Sequence, residues 1–222
     1  TAAPAMTQPD APLGPYNAKR DFSKTAEPAG VAAPRSDCRP LQFVVQKHWA
    51  SHLHYDFRLE LDGVMRSWAV PKGPCLDPGV KTLAIQVEDH PMDYNRSEGE
   101  MPMGEYGAGT VIVWDRGSWQ PEGDARAGLA KGKLVFTLQG QKLAGLWELV
   151  RISKPGDKKQ NQWLLFKKRG DAWARPRSEY DVLTALPDSV IQKPLGALTQ
   201  AGAAPARAEP AAAKNSKLPA KL

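Results

Sequence analysis

Three histidines, His48, His52 and His54, fall within seven residues, and Asp56 follows two positions after the last. On an extended strand, residues two apart project to the same side about 6–7 Å from one another, close enough for two side chains to share a cation. His54 and Asp56 meet that condition, and Arg58 continues the row. His48 has the same parity, but six extended residues span about 20 Å, too far for one coordination sphere. The chain must therefore fold back between them, and Trp49-Ala-Ser-His52 is the expected bend. Two imidazoles and a carboxylate suit a first-row divalent cation with positions left for water and substrate, and Mn²⁺ and Zn²⁺ both match the donor types. The competing reading is a solvated strand face, the ordinary meaning of alternating polar residues. His52, in the bend, reads as a bystander.

Arg58 and Lys72 extend the chemistry toward phosphate. A cation polarises one phosphate oxygen while a guanidinium holds two others in a fork. Taken singly, either residue is more ordinarily a surface cation. Val70-Pro-Lys-Gly-Pro74 is too turn-like for a strand interior, which puts Lys72 on a loop at a strand end. His90, in Glu88-Asp-His90, has Tyr94 four residues on. The two could supply a proton donor and a hydroxyl, whereas His90 alone reads as a structural histidine.

The elements that must position these groups are short strands. Leu53–Glu60 alternates strictly, with Leu53, Tyr55, Phe57 and Leu59 on one face and His54, Asp56, Arg58 and Glu60 on the other. Leu41–Gln46, Val64–Val70, Thr82–Glu88, Thr110–Trp114, Leu134–Leu138, Leu146–Ile152 and Trp163–Lys167 complete a set of about eight. Asp62-Gly63, Lys72-Gly-Pro74, Asp115-Arg-Gly117, Gln139-Gly140 and Lys154-Pro-Gly156 separate them. The pattern predicts a mostly β fold, a sandwich or a small closed barrel. Helix is sparse: Asp124–Leu129 and Ser178–Leu186, the latter with Ser178 as cap. Trp68, Trp114, Trp147 and Trp163 lie in apolar strand contexts and read as core rather than as a stacking platform.

Of 222 residues, 41% are hydrophobic and 24% charged, ordinary for a globular chain of one domain plus tails. No apolar run approaches the roughly 20 residues of a membrane-spanning helix, and no signal-peptide pattern opens the chain. It begins at Thr1 and is expected to be part of a longer protein. Two cysteines, Cys38 and Cys75, cannot make a disulfide scaffold and lack metal-type spacing, so a reducing compartment is expected. The net charge of +6 suits a polyanionic partner only weakly, because five of the basic residues stand in the last 32 positions against one acid. Residues 1–15 read as a disordered leader, and 191–222 as an Ala/Pro/Lys-rich linker or tail.

Several motifs together resemble the 3′-phosphoesterase domain of bacterial DNA ligase D, a protein of Ku-dependent non-homologous end joining. They are Gln46-Lys-His48, Leu53-His-Tyr-Asp-Phe-Arg-Leu-Glu60, Ser67-Trp-Ala-Val-Pro-Lys-Gly73, Val87-Glu-Asp-His-Pro91, Asp93-Tyr94 and Gly104-Glu-Tyr-Gly-Ala-Gly109. Tyr16-Asn-Ala-Lys-Arg-Asp-Phe22 and Thr25-Ala-Glu-Pro28 resemble the family's N-terminal motif, and Leu149–Ile152 and Trp163–Arg169 its closing strands. The resemblance covers about residues 16–175.

It implies a small closed β-barrel of about eight strands with short flanking helices over residues 16–190, and an N-terminal arm, 16–40, across the active site. It implies a Mn²⁺-dependent enzyme that removes a 3′-terminal ribonucleotide from a DNA primer-template and then removes the 3′-phosphate left behind. His48, His54 and Asp56 match the metal ligands. Arg58 and His90 match phosphate contacts, with Lys72 and Tyr94 near them. Arg20, Asp21, Glu27 and Glu88 match further residues of the site. Where the family usually has Lys-Arg, this chain has Lys81-Thr82, so one phosphate contact is expected to be lost or taken over by Lys81. The implied partners are the primer-template, ligase and polymerase modules of the same longer chain, and Ku. The implied setting is the bacterial cytoplasm at the nucleoid, away from any membrane. A non-catalytic nucleic-acid-binding barrel and a metal-dependent hydrolase of small phosphoesters are the competing functions.

Overall fold

Asp62 and Gly63 both take positive φ, 57° and 77°, the backbone of a two-residue hairpin turn whose twist matches its strands. They join β2 (Leu53–Leu61) to β3 (Val64–Val70), in the middle of a meander that starts with β1 (Leu41–Trp49) and ends with β4 (Thr82–Pro91). A computed structural model describes residues 13–20, 30, 39–101, 109–159 and 161–196. A second meander follows: β6 (Gly109–Pro121), β7 (Lys133–Gly140), β8 (Ala144–Arg151) and β9 (Gln162–Lys167), with the short β5 (Gly99–Met101) on the outer edge of β6. β4 pairs with β9 and β1 pairs with β6, so the two meanders close into an eight-stranded antiparallel barrel. The expected closed β-barrel is the observed fold. Closure leaves no exposed edge along the ring.

The barrel is filled from inside by Phe57, Trp68, Trp114, Phe136, Trp147 and Trp163, all fully buried. Each indole withdraws about 200 Å² from water, a gross transfer term of about 5 kcal/mol at about 25 cal/mol/Å². The four strand tryptophans are core, as their apolar contexts predict. Gly109, at φ 123°, lets β6 cross the end of β1, since a Cβ there would lie 2.0 Å from the Trp49 carbonyl oxygen.

Helices are short. α1 (Gly14–Ala18) includes Gly14 and Pro15, residues whose composition suggested a leader, and Leu13 and Tyr16 are buried. α2 (Ala125–Lys131) starts at Asp124, whose carboxylate accepts from the Arg126 and Ala127 amides, and stops at Gly132 in the left-handed region. α3 (Val182–Ala185) is capped by Asp181, not by Ser178. Residues Pro176–Tyr180 are held in turns by bonds to the Pro176 carbonyl, and buried Tyr180 anchors the chain before the helix begins. At the C-terminal side, Ile191 packs against Val44, Met65, Val113 and Val190. Among the described residues no helix is long and apolar enough to cross a membrane.

Candidate active site

Alternation along β2 sends Tyr55, Phe57, Leu59 and Leu61 into the barrel. His54, Asp56, Arg58 and Glu60 therefore line the outer face. That face is not solvated: Asp56, Arg58 and Glu60 are all buried. Its cover is a 3₁₀ turn, Met92–Arg96, which contributes Tyr94, and α1, which contributes Tyr16; these two tyrosines cluster with Leu13 and Val64. The solvated-face reading of the β2 alternation fails for this reason.

The strand register brings the ligand candidates together. Residues Ala50–His52 form the bend between β1 and β2, so His48 stands opposite His54 and Gln46 opposite Asp56. One ligating atom each from His48, His54 and Asp56 lies within 4.8 Å of the others. His48 Nδ1 is 3.7 Å from Asp56 Oδ2, and His54 Nε2 is 3.4 Å from Asp56 Oδ1. His54 Nδ1 sits 3.1 Å from the His52 carbonyl oxygen, which can only accept. That bond places a proton on Nδ1 and leaves Nε2 as the ring atom that could ligate, an arrangement like the outer-shell support of a metal-binding histidine. His52 thus contributes through its backbone.

Burial would push the Asp56 carboxyl up, but the Arg58 charge and hydrogen bonds with His48 and His54 outweigh it and hold Asp56 far below the usual carboxylate range. The bond to Asp56 raises His54 against the effect of burial. An ionised carboxylate between two imidazoles, all within reach of one point, fits a divalent first-row cation and would be self-repelling for an anion.

Arg58 is held in a buried fork beside this trio. Its Nε donates to Gln46 Oε1 at 2.9 Å and its Nη1 to Ser67 Oγ at 2.8 Å, while Nη2 lies 3.5 Å from Asp56 Oδ2. Gln46 is fixed in turn by donating to the Tyr94 carbonyl at 2.7 Å, and the Tyr94 ring stacks 4.9 Å from the guanidinium. Gln46 and Ser67 escape motif reading as actors. The available signal was parity: Gln46 is an amide on the His48 face of a largely apolar run.

A second group joins the first through His90, on β4. Its ring meets Tyr94 at 4.8 Å and Tyr16 at 5.0 Å. Its Nδ1 lies 3.0 Å from the Glu88 carbonyl, leaving Nε2 to accept from Arg20 Nη2 at 3.3 Å. Burial, then the charges of Arg58 and Arg20, push His90 well below its ordinary value. Without a bound phosphate, that shift favours the neutral imidazole. Arg20 also stacks 3.8 Å over Tyr16 and approaches Glu88 at 3.4 Å, and Lys19 reaches Glu88 at 3.0 Å. Burial raises the Glu88 carboxyl, but the Lys19 hydrogen bond and the Lys19 and Arg20 charges bring it below its usual value. The N-terminal segment thus lies on the site as far as Arg20. Asp21 and Glu27 lie outside the described residues.

Among the described residues, no hydrogen bond or ion pair joins Lys72 or Lys81 to this group. β3 ends at Val70, and Lys72 stands in the turn closed by Gly73 N–H to the Val70 carbonyl. Lys72, Lys81, Thr82 and Arg177 instead line a separate hollow of about 430 Å³. Lys81 stacks on Phe166 at 4.8 Å, and the Thr82 hydroxyl donates to the Leu165 carbonyl at 3.1 Å.

Residues 46–151 match the DNA ligase D 3′-phosphoesterase domain family, and that span holds the trio, Arg58, Glu88, His90 and Tyr94. The chain belongs to this family. It is 57% identical over 182 residues to the multifunctional non-homologous end joining protein LigD of Pseudomonas aeruginosa, a match covering 82% of this chain and 21% of that protein. It is 44% identical over 138 residues to the multifunctional non-homologous end joining DNA repair protein LigD of Mycobacterium tuberculosis, covering 62% of this chain and 18% of that protein. The Mycolicibacterium smegmatis LigD protein is 37% identical over 177 residues, covering 75% and 22%. The chain spans about a fifth of the length of these relatives.

Proposed function

We propose that this chain is a metal-dependent phosphoesterase that heals nucleic-acid 3′ ends in bacterial non-homologous end joining, removing a terminal ribonucleotide and then the 3′-phosphate. One observation carries the reading: the His48–His54–Asp56 trio adjoins the buried Arg58 guanidinium, a cation site beside an anion clamp. Mn²⁺ held by the trio would supply Lewis acidity toward a phosphate oxygen and lower the pKa of a bound water. The chain's own groups do the rest. Arg58, pinned by Gln46 and Ser67, turns Nη2 toward the non-bridging oxygens and stabilises charge without reorganising. His90 is neutral until a phosphate dianion arrives, which favours the imidazolium; it then gives its proton to the leaving oxygen. Arg20 shares the phosphate, and Tyr94 holds Arg58 and His90 in place. Glu88, with Asp21 and Glu27, is assigned to the ribose 2′-hydroxyl.

The substrate is a primer-template with a 3′-ribonucleotide or 3′-phosphate. Ligase and polymerase modules of a longer chain, together with Ku, would use the resulting 3′-hydroxyl in the cytoplasm, at the nucleoid. The test is a primer-template bearing a 3′-phosphate, incubated with EDTA, Mn²⁺, Mg²⁺ or Zn²⁺. Mn²⁺-dependent release of phosphate to leave a 3′-hydroxyl is expected. Duplex binding without conversion under any metal would favour a non-catalytic barrel, and equal turnover of a free nucleotide a small-phosphoester hydrolase.

A further inference from the structure

A hollow of about 560 Å³ lies away from the trio, between the 3₁₀ turn and strands β1, β6 and β7. Arg39, Arg96 and Arg116 bound it, Asp93 stands on its wall, and Gln42 and Asn95 are among its lining amides. Arg39 is neutralised by Glu60, its Nη1 and Nη2 meeting the two carboxylate oxygens at 2.8 and 2.6 Å. Arg96 and Arg116 are exposed, and neither side chain is in an ion pair among the described residues. The amides are polar and only partly satisfied: Asn95 donates to Gln42 Oε1 at 3.1 Å, while Asn95 Oδ1 has no hydrogen-bond partner among the described residues.

The hollow and the trio occupy one face of the sheet. Gln42, Val44, Gln46 and His48 alternate along the outer side of β1, and Arg116 stands opposite Val44. The 3₁₀ turn divides the two places, presenting Tyr94 to Arg58 and lining the hollow with Asp93 and Arg96. At about 3.3 Å per residue, the stretch from His48 back to Val44 and Gln42 is about 13–20 Å. Along a duplex axis, at about 3.4 Å per base pair, that is about four to six pairs.

We propose that this hollow is a second contact for the substrate, in which Arg96 and Arg116 grip the phosphodiester backbone of a duplex about four to six base pairs from the reacting 3′ end. The inference rests on the nucleic-acid reading given above and adds a place for the body of the duplex. Two guanidiniums in no ion pair among the described residues are suited to phosphate oxygens, and the nearby acids do not cancel them: Glu60 is spent on Arg39, and Asp93 is one charge against two. Contacts to phosphates set position and affinity but do not read sequence.

The experiment compares the full chain with Arg116→Ala, and with Arg96→Ala/Arg116→Ala, on two 3′-phosphate substrates: a primer-template of about 20 base pairs and a trinucleotide too short to reach the hollow. For the duplex, the double variant should raise KM about tenfold with kcat kept, and should flatten the slope of log binding constant against log salt by about two. Arg116→Ala, which leaves the 3₁₀ turn untouched, should give about half that change in slope. The trinucleotide KM should not rise. An unchanged duplex KM and salt slope in variants of an active protein would overturn this inference alone. So would an equal loss on both substrates, which would mean damage to the reacting centre. A wild-type chain that neither converts nor binds the duplex would overturn the phosphoesterase reading, and this inference with it.

Discussion

Gln46 Oε1 accepts from Arg58 Nε at 2.9 Å although the two residues do not face each other in the strand register: Gln46 stands opposite Asp56, and Arg58 opposite Val44. The diagonal bond turns the guanidinium along the sheet toward Asp56. Its anchor is remote, because the Gln46 amide donates to the Tyr94 carbonyl. The orientation of the Arg58 guanidinium thus depends on a residue 48 positions beyond Gln46 in the chain.

Gln46→Leu should therefore lower kcat about tenfold or more while leaving Mn²⁺ binding in place, since Gln46 touches no ligand atom. It leaves the buried Arg58 Nε unpaired, a cost of about 1–3 kcal/mol in stability. Arg58→Lys keeps the charge but loses the fork, and should cost kcat about 10²-fold. Steady-state kinetics beside a metal titration separates the two effects. A Gln46→Leu protein that loses metal affinity and keeps kcat would contradict this assignment.

Much of this arrangement was legible in the residues. The alternation of Leu53–Glu60 has a physical cause, one face filling a barrel, and the spacing of His48, His54 and Asp56 required a fold-back that the register supplies. What was not legible depends on distant covers. Strand parity told that Asp56 and Arg58 share a side, but not that Tyr94 and Tyr16 would bury that side. A single Lys at a strand end, such as Lys72, carries no signal of which way the following turn goes. Ser178 and Asp181 are both acceptable caps in isolation; the buried Tyr180 decided between them. Gly99–Met101 is too short for periodicity to mark as a strand.

Arg20→Ala removes one of the two charges that, after burial, depress His90. An NMR titration should show the imidazole midpoint moving up relative to wild type. The sign of the stability effect follows: the unfolded His binds its proton at about pH 6.5, the folded one well below, so stability is full above that value and falls as pH drops through it. Arg20→Ala should weaken this acid-side loss and should cost activity more than it costs thermal stability. A His90 midpoint unmoved by the substitution would contradict the contact.

Asp89 offers a test of the opposite sign. Burial, helped by Glu88 and opposed by Arg66 at 3.1 Å, pushes its carboxyl from 3.8 up to about 6. The folded state therefore holds the proton more tightly than the unfolded one, and stability declines as pH rises from about 4 to about 6, then levels off. Asp89→Asn should be more stable than wild type by about 1 kcal/mol at pH 7, with the gain vanishing below about pH 4. Melting curves across that range check it, and a destabilised variant at pH 7 would contradict it.

The most direct test of the central claim is to measure Mn²⁺ binding by electron paramagnetic resonance and 3′-phosphate release in the same samples of wild type, His54→Ala and Asp56→Asn. The account predicts one tightly bound ion and Mn²⁺-dependent release for wild type, and loss of both together in each variant, with melting temperatures showing that the barrel is still folded. A folded His54→Ala protein that retains metal-dependent release would contradict the assignment of the trio.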